Sequence, residues 1–262
     1  MKTSAARTTT YVLTCEHGGN KIPPEYRSYF SGASDVLKSH RGWDPGALRV
    51  AEALSAILNA PLFSSTTSRL LVELNRSLGH SSLFSEFTNV LPESDKQRII
   101  TQHWQPYRDE VTEHLDKLMM ARRRVIHLSI HSFTPVWHGN TRSTSIGLLY
   151  DPRRAAEKEF CNAWKAELRE HRQDYTIHSN QPYKGTADGF TTWLRRRFDS
   201  TSKYCGTYIG VEVEINQALI ASATKQQIKS MAFLLSVCEE YAETCSWVLT
   251  SQAQTRRTRR IR

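Results

Sequence analysis

No stretch of this sequence approaches the roughly 18 consecutive apolar residues that a bilayer-crossing helix needs. The opening MKTSAARTTT also lacks the apolar segment of a secretory signal, so the chain is expected in the cytoplasm, away from membranes. Cysteine is scarce and shows no pairing pattern. Cys15, Cys161, Cys205, Cys238 and Cys245 are odd in number and none forms a CxxC pair, which excludes a zinc ribbon and reads as reduced thiols. Neither a linker nor an internal repeat interrupts the 262 residues. Residues 1–250 are therefore expected to form one large α/β domain, followed by a basic tail over 251–262.

The basic excess is just as restricted. The formal charge is +9, but five of the last seven residues are arginine (Arg256, Arg257, Arg259, Arg260, Arg262). Such an end reads as a solvated tail, and nucleic acid is not an expected partner beyond non-specific contact by those arginines. An apolar content of 39% fits an ordinary globular protein, so function has to be sought in motifs.

The most informative stretch is TCEHGGN, residues 14–20, where the apolar run Tyr11, Val12, Leu13 gives way to Glu16, His17 and two glycines. Short continuous apolar runs read as buried parallel strands, and open α/β sheets bind ligands just beyond the carboxyl ends of such strands. Gly18 and Gly19 allow a sharp turn and close approach to a bound ion or substrate. Taken alone, His17 reads more readily as a buried imidazole bonded to its own loop than as a ligand. A second run, VIHLSIHSF over 125–133, also ends on a histidine, His131, and two such ends suggest one metal. Cys15 reads as a nucleophile or as a small apolar filler, and its place inside the strand favours the filler.

Further along, Asp44 before Pro45 reads as the N-cap of a helix over 45–59, whose apolar face is Val50, Leu54, Ile57 and Leu58. Strands are expected at 61–65 and at 68–76, the second ending in Asn75 and Arg76, a natural clamp for a carboxylate. Residues 77–92 read as a loop able to fold over a site. Helical patterning begins near Glu93, and Pro106 is expected to open a fresh helix that closes on Arg122-Arg123-Arg124. The pocket-lining candidates of loop 134–142 include Arg142. Strands at 146–150 and 175–178 bracket a helix over 151–170, and a turn at 180–185 carries Tyr183 and Lys184. A helix over 188–198, a strand YIGVEVEI over 208–215 and a helix over 224–247 complete the chain. Glu212 and Glu214 share one face of that strand, either in a cleft or on the solvated face of an edge strand. Strands alternating with helices predict a mixed, mainly parallel sheet flanked by helices, with chemistry at the strand ends.

In this order, EHGGN, WDPG, SRLLVELNR, HSF, NQPYKG and EVEIN resemble the N-formylglutamate amidohydrolase family, also called N-formylglutamate deformylases, over residues 11–219. That family is similar to zinc carboxypeptidases and aspartoacylases, which implies a phosphorylase/hydrolase-like fold. The resemblance implies one divalent metal ion, zinc by preference, held by His17 and His131. In those relatives a glutamate ligand follows the first histidine by three residues. Asn20 stands there in this chain, and the resemblance points to Asp44, which recurs in the family's pattern, as the third ligand, with Glu16 as the alternative. Glu214 matches the acid that serves as general base and then general acid. Asn75 and Arg76 match the pair that holds a substrate carboxylate, Arg69 and Arg142 stand as further clamps, and Glu73 occupies a position where the family often has aspartate. The implied reaction is metal-assisted hydrolysis of an N-acyl amino acid, with N-formyl-L-glutamate giving formate and L-glutamate, the last step of one histidine-degradation route. The alternatives are another zinc amidase or carboxypeptidase, or a non-catalytic basic binding protein.

Overall fold

The computed structural model describes residues 9–199, 204 and 206–239. The arginine tail, Cys205, Cys245 and the later part of the expected closing helix lie outside the described residues. The first strand, β1 (Thr9–Cys15), is the apolar run that precedes His17. A 3-10 turn (Pro24–Phe30) and a short helix α1 (Ser34–Lys38) lead to α2 (Ala47–Leu58) and β2 (Leu62–Ser64). Next come α3 (Glu93–Ile99), a π-helical turn (Ile100–Trp104) and α4 (Gln105–Met120). Strand β3 (Arg124–Phe133) is followed by a small hairpin, β4 (Val136–Trp137) and β5 (Asn140–Thr141), and then by β6 (Ile146–Leu149). The remaining elements are α5 (Ala155–His171), β7 (Ile177–Ser179), α6 (Phe190–Asp199), β8 (Thr207–Asn216), α7 (Gln217–Ile220) and α8 (Lys225–Ser236).

Six strands form one sheet in the order β2-β1-β3-β8-β6-β7, parallel at every pair except β6 against β8. This is the mixed, mainly parallel α/β architecture read from the sequence. Helices α2, α5 and α8 cover one face, where Leu13, Ile126, Leu128, Ile130, Val211, Val213 and Ile215 are buried among them. Helices α4 and α6 cover the other face together with residues 70–74. Because successive side chains of a strand point to opposite faces, that second face receives Thr14, then His127, Ser129 and His131, then Glu212 and Glu214. Parallel register sets Thr14 beside Ser129, and His131 beside Glu214. The first face is thus apolar across the middle of the sheet, while the other turns polar toward the strand ends.

Four expectations fail locally. Residues 68–76 form turns, not a strand, and the backbone carbonyls there find side-chain partners instead of a neighbouring strand. Thr88 Oγ1 donates to Leu71 O at 3.1 Å, and Arg108 Nη1 donates to Leu74 O at 3.1 Å. Asp44 is not the cap of α2. Gly46, at φ 87°, precedes the helix in a left-handed conformation that only glycine adopts cheaply, and no side chain caps it. Gly18 and Gly19 do not face a ligand. A Cβ on either would collide with backbone oxygens of Ser65 and Thr66 at 2.9 and 2.7 Å, so these glycines let the chain after β1 lie against the chain after β2. Pro106 does not start a separate helix: α4 continues without a break from α3 through the π turn, whose wider hydrogen-bond spacing lies directly before the proline and accommodates its missing N–H.

Candidate active site

His17 stands two residues beyond β1, and its carbonyl accepts the Asp44 amide at 2.9 Å, which ties the WDPG loop to the strand end. His131 lies near the end of the adjacent strand β3. Their Nδ1 atoms are 3.2 Å apart, and Asp44 Oδ2 lies 3.3 Å from the first and 3.0 Å from the second. All three residues are buried. A tetrahedral ion with ligand bonds of about 2.0–2.1 Å separates its ligands by about 3.3 Å, so this triangle has the dimensions of one face of such a tetrahedron. His17, Asp44 and His131 are the group of possible metal ligands found among the described residues, and they suit a single divalent cation.

The far side of each ring explains why the near nitrogens point inward. His17 Nε2 meets Glu73 Oε1 in a short contact. His131 Nε2 is 2.8 Å from Ser129 Oγ and 3.3 Å from Glu16 Oε2, and Ser129 Oγ donates to Glu16 at 2.8 Å. Each histidine thus has its outer nitrogen set toward a carboxylate and its Nδ1 toward the centre, where it would offer a lone pair once a cation displaces the proton, the arrangement that orients metal-bound imidazoles. Glu16, the alternative ligand from sequence, is thus corrected. It lies behind His131, fully buried, and accepts the Tyr107 hydroxyl at 3.1 Å.

Charge balance supports the same conclusion. Burial alone would raise the Asp44, Glu16 and Glu73 carboxyls, but the neighbouring histidines and Arg69 hold all three well below the usual range. Burial would likewise lower the two imidazoles, yet these carboxylates keep His17 raised and His131 raised strongly. Arg69 and the two imidazolium protons balance the three buried carboxylates here, and a divalent cation bound at the Nδ1 atoms would supply the same positive charge in place of those protons.

Arg69 is committed to this framework. Its Nε donates to Glu73 Oε2 at 2.7 Å and its Nη1 to Asp44 Oδ1 at 3.3 Å, so the clamp expected for substrate steadies two carboxylates while also lining the cleft. With both Asp44 oxygens engaged and its main chain outside the helix, the capping role read from the sequence is excluded.

A cleft of about 400 Å³ opens over the triad. Arg76, Asn75, Glu212 and Glu214 line it, with Tyr183, Lys184 and Asp188 from the loop before α6. β8 lies between β3 and β6, so the edge-strand reading of Glu212 and Glu214 is ruled out. Glu212 accepts Thr191 Oγ1 at 2.8 Å. Glu214 is 6% exposed, and its buried Oε2 has no hydrogen-bond partner among the described residues. Burial pushes its carboxyl up to about 7, with Asp44 and Glu212 adding to the rise and His131 opposing it. Such a group changes protonation near neutrality, as a proton carrier must. Asn75 Oδ1 accepts the Phe190 amide at 2.6 Å, which leaves its NH2 group for the cleft. Arg76 donates to the Asp188 carbonyl beside it. Arg142 is not a lining residue. Its guanidinium stacks over Phe133, Trp137 and Tyr183, with ring centres 5.1–5.6 Å away.

The model of the N-formylglutamate amidohydrolase family matches residues 9–221. The chain belongs to the N-formylglutamate amidohydrolase family. A gene product of Agrobacterium tumefaciens is similar at 30% identity with a TM-score of 0.76, over 92% of this chain and 93% of that one. The N-formylglutamate amidohydrolase of Ralstonia eutropha shares the fold at 17% identity and a TM-score of 0.65, over 90% and 95% of the two chains. No curated protein matches. The protein is therefore an amidohydrolase, a metal-associated enzyme acting on an amide bond. No helix among the described residues is long and apolar enough to cross a membrane.

Sequence reasoning missed the carboxylate behind each histidine and the isolation of the buried Glu214 carboxyl. One signal was present. In VIHLSIHSF the polar residues His127, Ser129 and His131 recur at period two, which marks a single polar face. His127 on that face is structural: its ring nitrogens meet Thr14 Oγ1 at 2.9 Å and Tyr208 Oη at 2.7 Å, and burial lowers it to about 4, so it stays neutral. Cys15 is fully buried with its thiol pushed well up by burial, which removes the nucleophile reading.

Proposed function

We propose that the protein hydrolyses N-formyl-L-glutamate to formate and L-glutamate, using one zinc ion held by His17, Asp44 and His131. A bound divalent cation supplies Lewis acidity toward the amide carbonyl and lowers the pKa of water. Arg76, with the Asn75 amide, holds a substrate carboxylate and so aligns the amide with the triad. Glu214 takes a proton from the attacking water and returns it to the departing amine nitrogen, while Glu73, Glu16 and Arg69 keep the ligands oriented. The observation that carries this reading is Glu214. Its buried Oε2 has no partner among the described residues, burial raises its carboxyl to about 7, and it lines the same cleft as the triad and the Asn75–Arg76 pair.

The reading extends to a cytoplasmic enzyme whose catalytic unit spans residues 1–250, which the free buried thiols Cys15, Cys161 and Cys238 suit. The test is zinc content measured alongside formate release from N-formyl-L-glutamate, with Glu214→Gln as control. Metal-dependent formate release that the substitution abolishes is the expected result. Bound zinc without formate would discard the substrate, and metal-free protein would discard the centre.

A further inference from the structure

The catalytic cleft has a neighbour. A second cleft of about 220 Å³ shares Asp44, Arg69, Ser132 and Tyr183 with the first and continues from the triad toward His40, Phe133 and Trp137. Asn75, Arg76 and Glu214 line only the first cleft. If the proposed reading holds, with the carboxylate at Asn75–Arg76 and the amide at the triad, the second cleft lies where the acyl group extends. A formyl group has no atom beyond its carbonyl carbon and leaves this volume unfilled.

The lining of this space favours rings over charge. Trp137, 45% exposed on the β4–β5 hairpin, and Tyr183, 43% exposed, turn aromatic surface to it. Arg142 sits against Phe133, Trp137 and Tyr183 and donates to the Tyr183 hydroxyl at 3.3 Å, which holds the three side chains together. The charges nearby already have partners: Arg69 is paired with Glu73 and Asp44, and Arg41 with Glu86. His40 packs edge-on against Trp137 at 6.1 Å, and burial together with Arg69, Arg41 and Arg142 lowers its affinity for a proton. No uncommitted cation remains in this lining to select an anionic acyl chain.

We propose that this cleft is an acyl subsite for aromatic groups, through which the same centre hydrolyses N-aroyl amino acids. Water adds across the amide: the C–N bond breaks, the acyl carbon takes the hydroxyl to leave as a carboxylic acid, and the amine nitrogen takes the proton. Trp137 sets specificity by packing against the ring.

The experiment compares benzoate release from N-benzoyl-L-glutamate with formate release from N-formyl-L-glutamate in the zinc-loaded full chain, for the native protein, Trp137→Ala and Trp137→Phe. The ratio of the two kcat/KM values is expected to fall about five- to tenfold in Trp137→Ala, the scale of one lost aromatic contact, chiefly through KM for the benzoyl substrate, and to recover in Trp137→Phe. Formate without benzoate from the native protein overturns the subsite and leaves the proposed function standing. Benzoate without formate does the reverse. An unchanged ratio in Trp137→Ala overturns the role of Trp137, and neither product from zinc-loaded protein overturns both readings.

Discussion

The two walls of the cleft are built on opposite terms. On the wall of β1, β3 and the WDPG loop, the ligand side chains are held from within: Glu73 behind His17, Ser129 and Glu16 behind His131, Arg69 and the Ser132 amide on Asp44. On the wall of β8 and residues 75–76, Glu214 Oε2 is buried with no partner among the described residues. The first wall is organised around a fixed charge that must not move. The second retains unsatisfied capacity, which under the proposed function a substrate with its attacking water would complete. Preorganisation and reactivity thus fall to different strands, and the comparison can be broken from either side.

Breaking the ligand wall should cost most. His131→Ala is expected to abolish stoichiometric zinc and to lower formate release by about a thousandfold or more, since the cation's electrostatic contribution is worth several kcal/mol. Metal analysis and kinetics on the same preparation check this, and retained zinc would mean that the triangle is not the ligand set.

On the other wall, Glu214→Gln is expected to lower kcat by about 10²–10⁴-fold with zinc content unchanged. The native pH profile sharpens the point. A base must be ionised, so kcat/KM should fall as pH drops below the pKa of Glu214, which burial raises to about 7. A bound cation favours the carboxylate, so this acid limb belongs at or below about pH 7. An identical limb in Glu214→Gln would assign it to another group.

Arg76→Ala should raise KM by about ten- to a hundredfold, the scale of one charge-assisted hydrogen bond, and change kcat far less. An effect confined to kcat would argue that Arg76 meets the transition state and not the carboxylate. The smallest effect is expected behind the ligands: Glu73→Gln keeps an acceptor near His17 but loses the charge, and should weaken zinc affinity by about tenfold. Competition with a chelator of known affinity reads this out, and an unaltered affinity would reduce Glu73 to a packing role.

Much of this was legible in the chain. The apolar runs ending on His17 and His131 announce strand ends, and Glu212 and Glu214 at period two announce a polar face in an otherwise apolar strand. The strand over 68–76 misled because apolar residues with β propensity can be buried in a turn-rich segment when distant side chains satisfy its backbone, as Thr88 and Arg108 do here. Asp44 misled because Asp-Pro is a common helix start. Its carboxylate was drawn instead to two histidines and an arginine, and a left-handed glycine took over the entry to α2.

By itself, then, the sequence determined the alternation of strands and helices, the mainly parallel sheet and the residue types at its carboxyl ends, because periodicity and local propensity act over a few residues. Only the tertiary structure decided which carboxylate joins the histidines and which stand behind them. Glu16 is adjacent to His17 in sequence yet serves His131, Glu73 lies 56 residues from the His17 it orients, and Arg142 turned from the cleft to three aromatic rings. Those choices depend on strand register and on charges meeting across the sheet in a buried site, where a misplaced carboxylate is costly, and no local pattern encodes them.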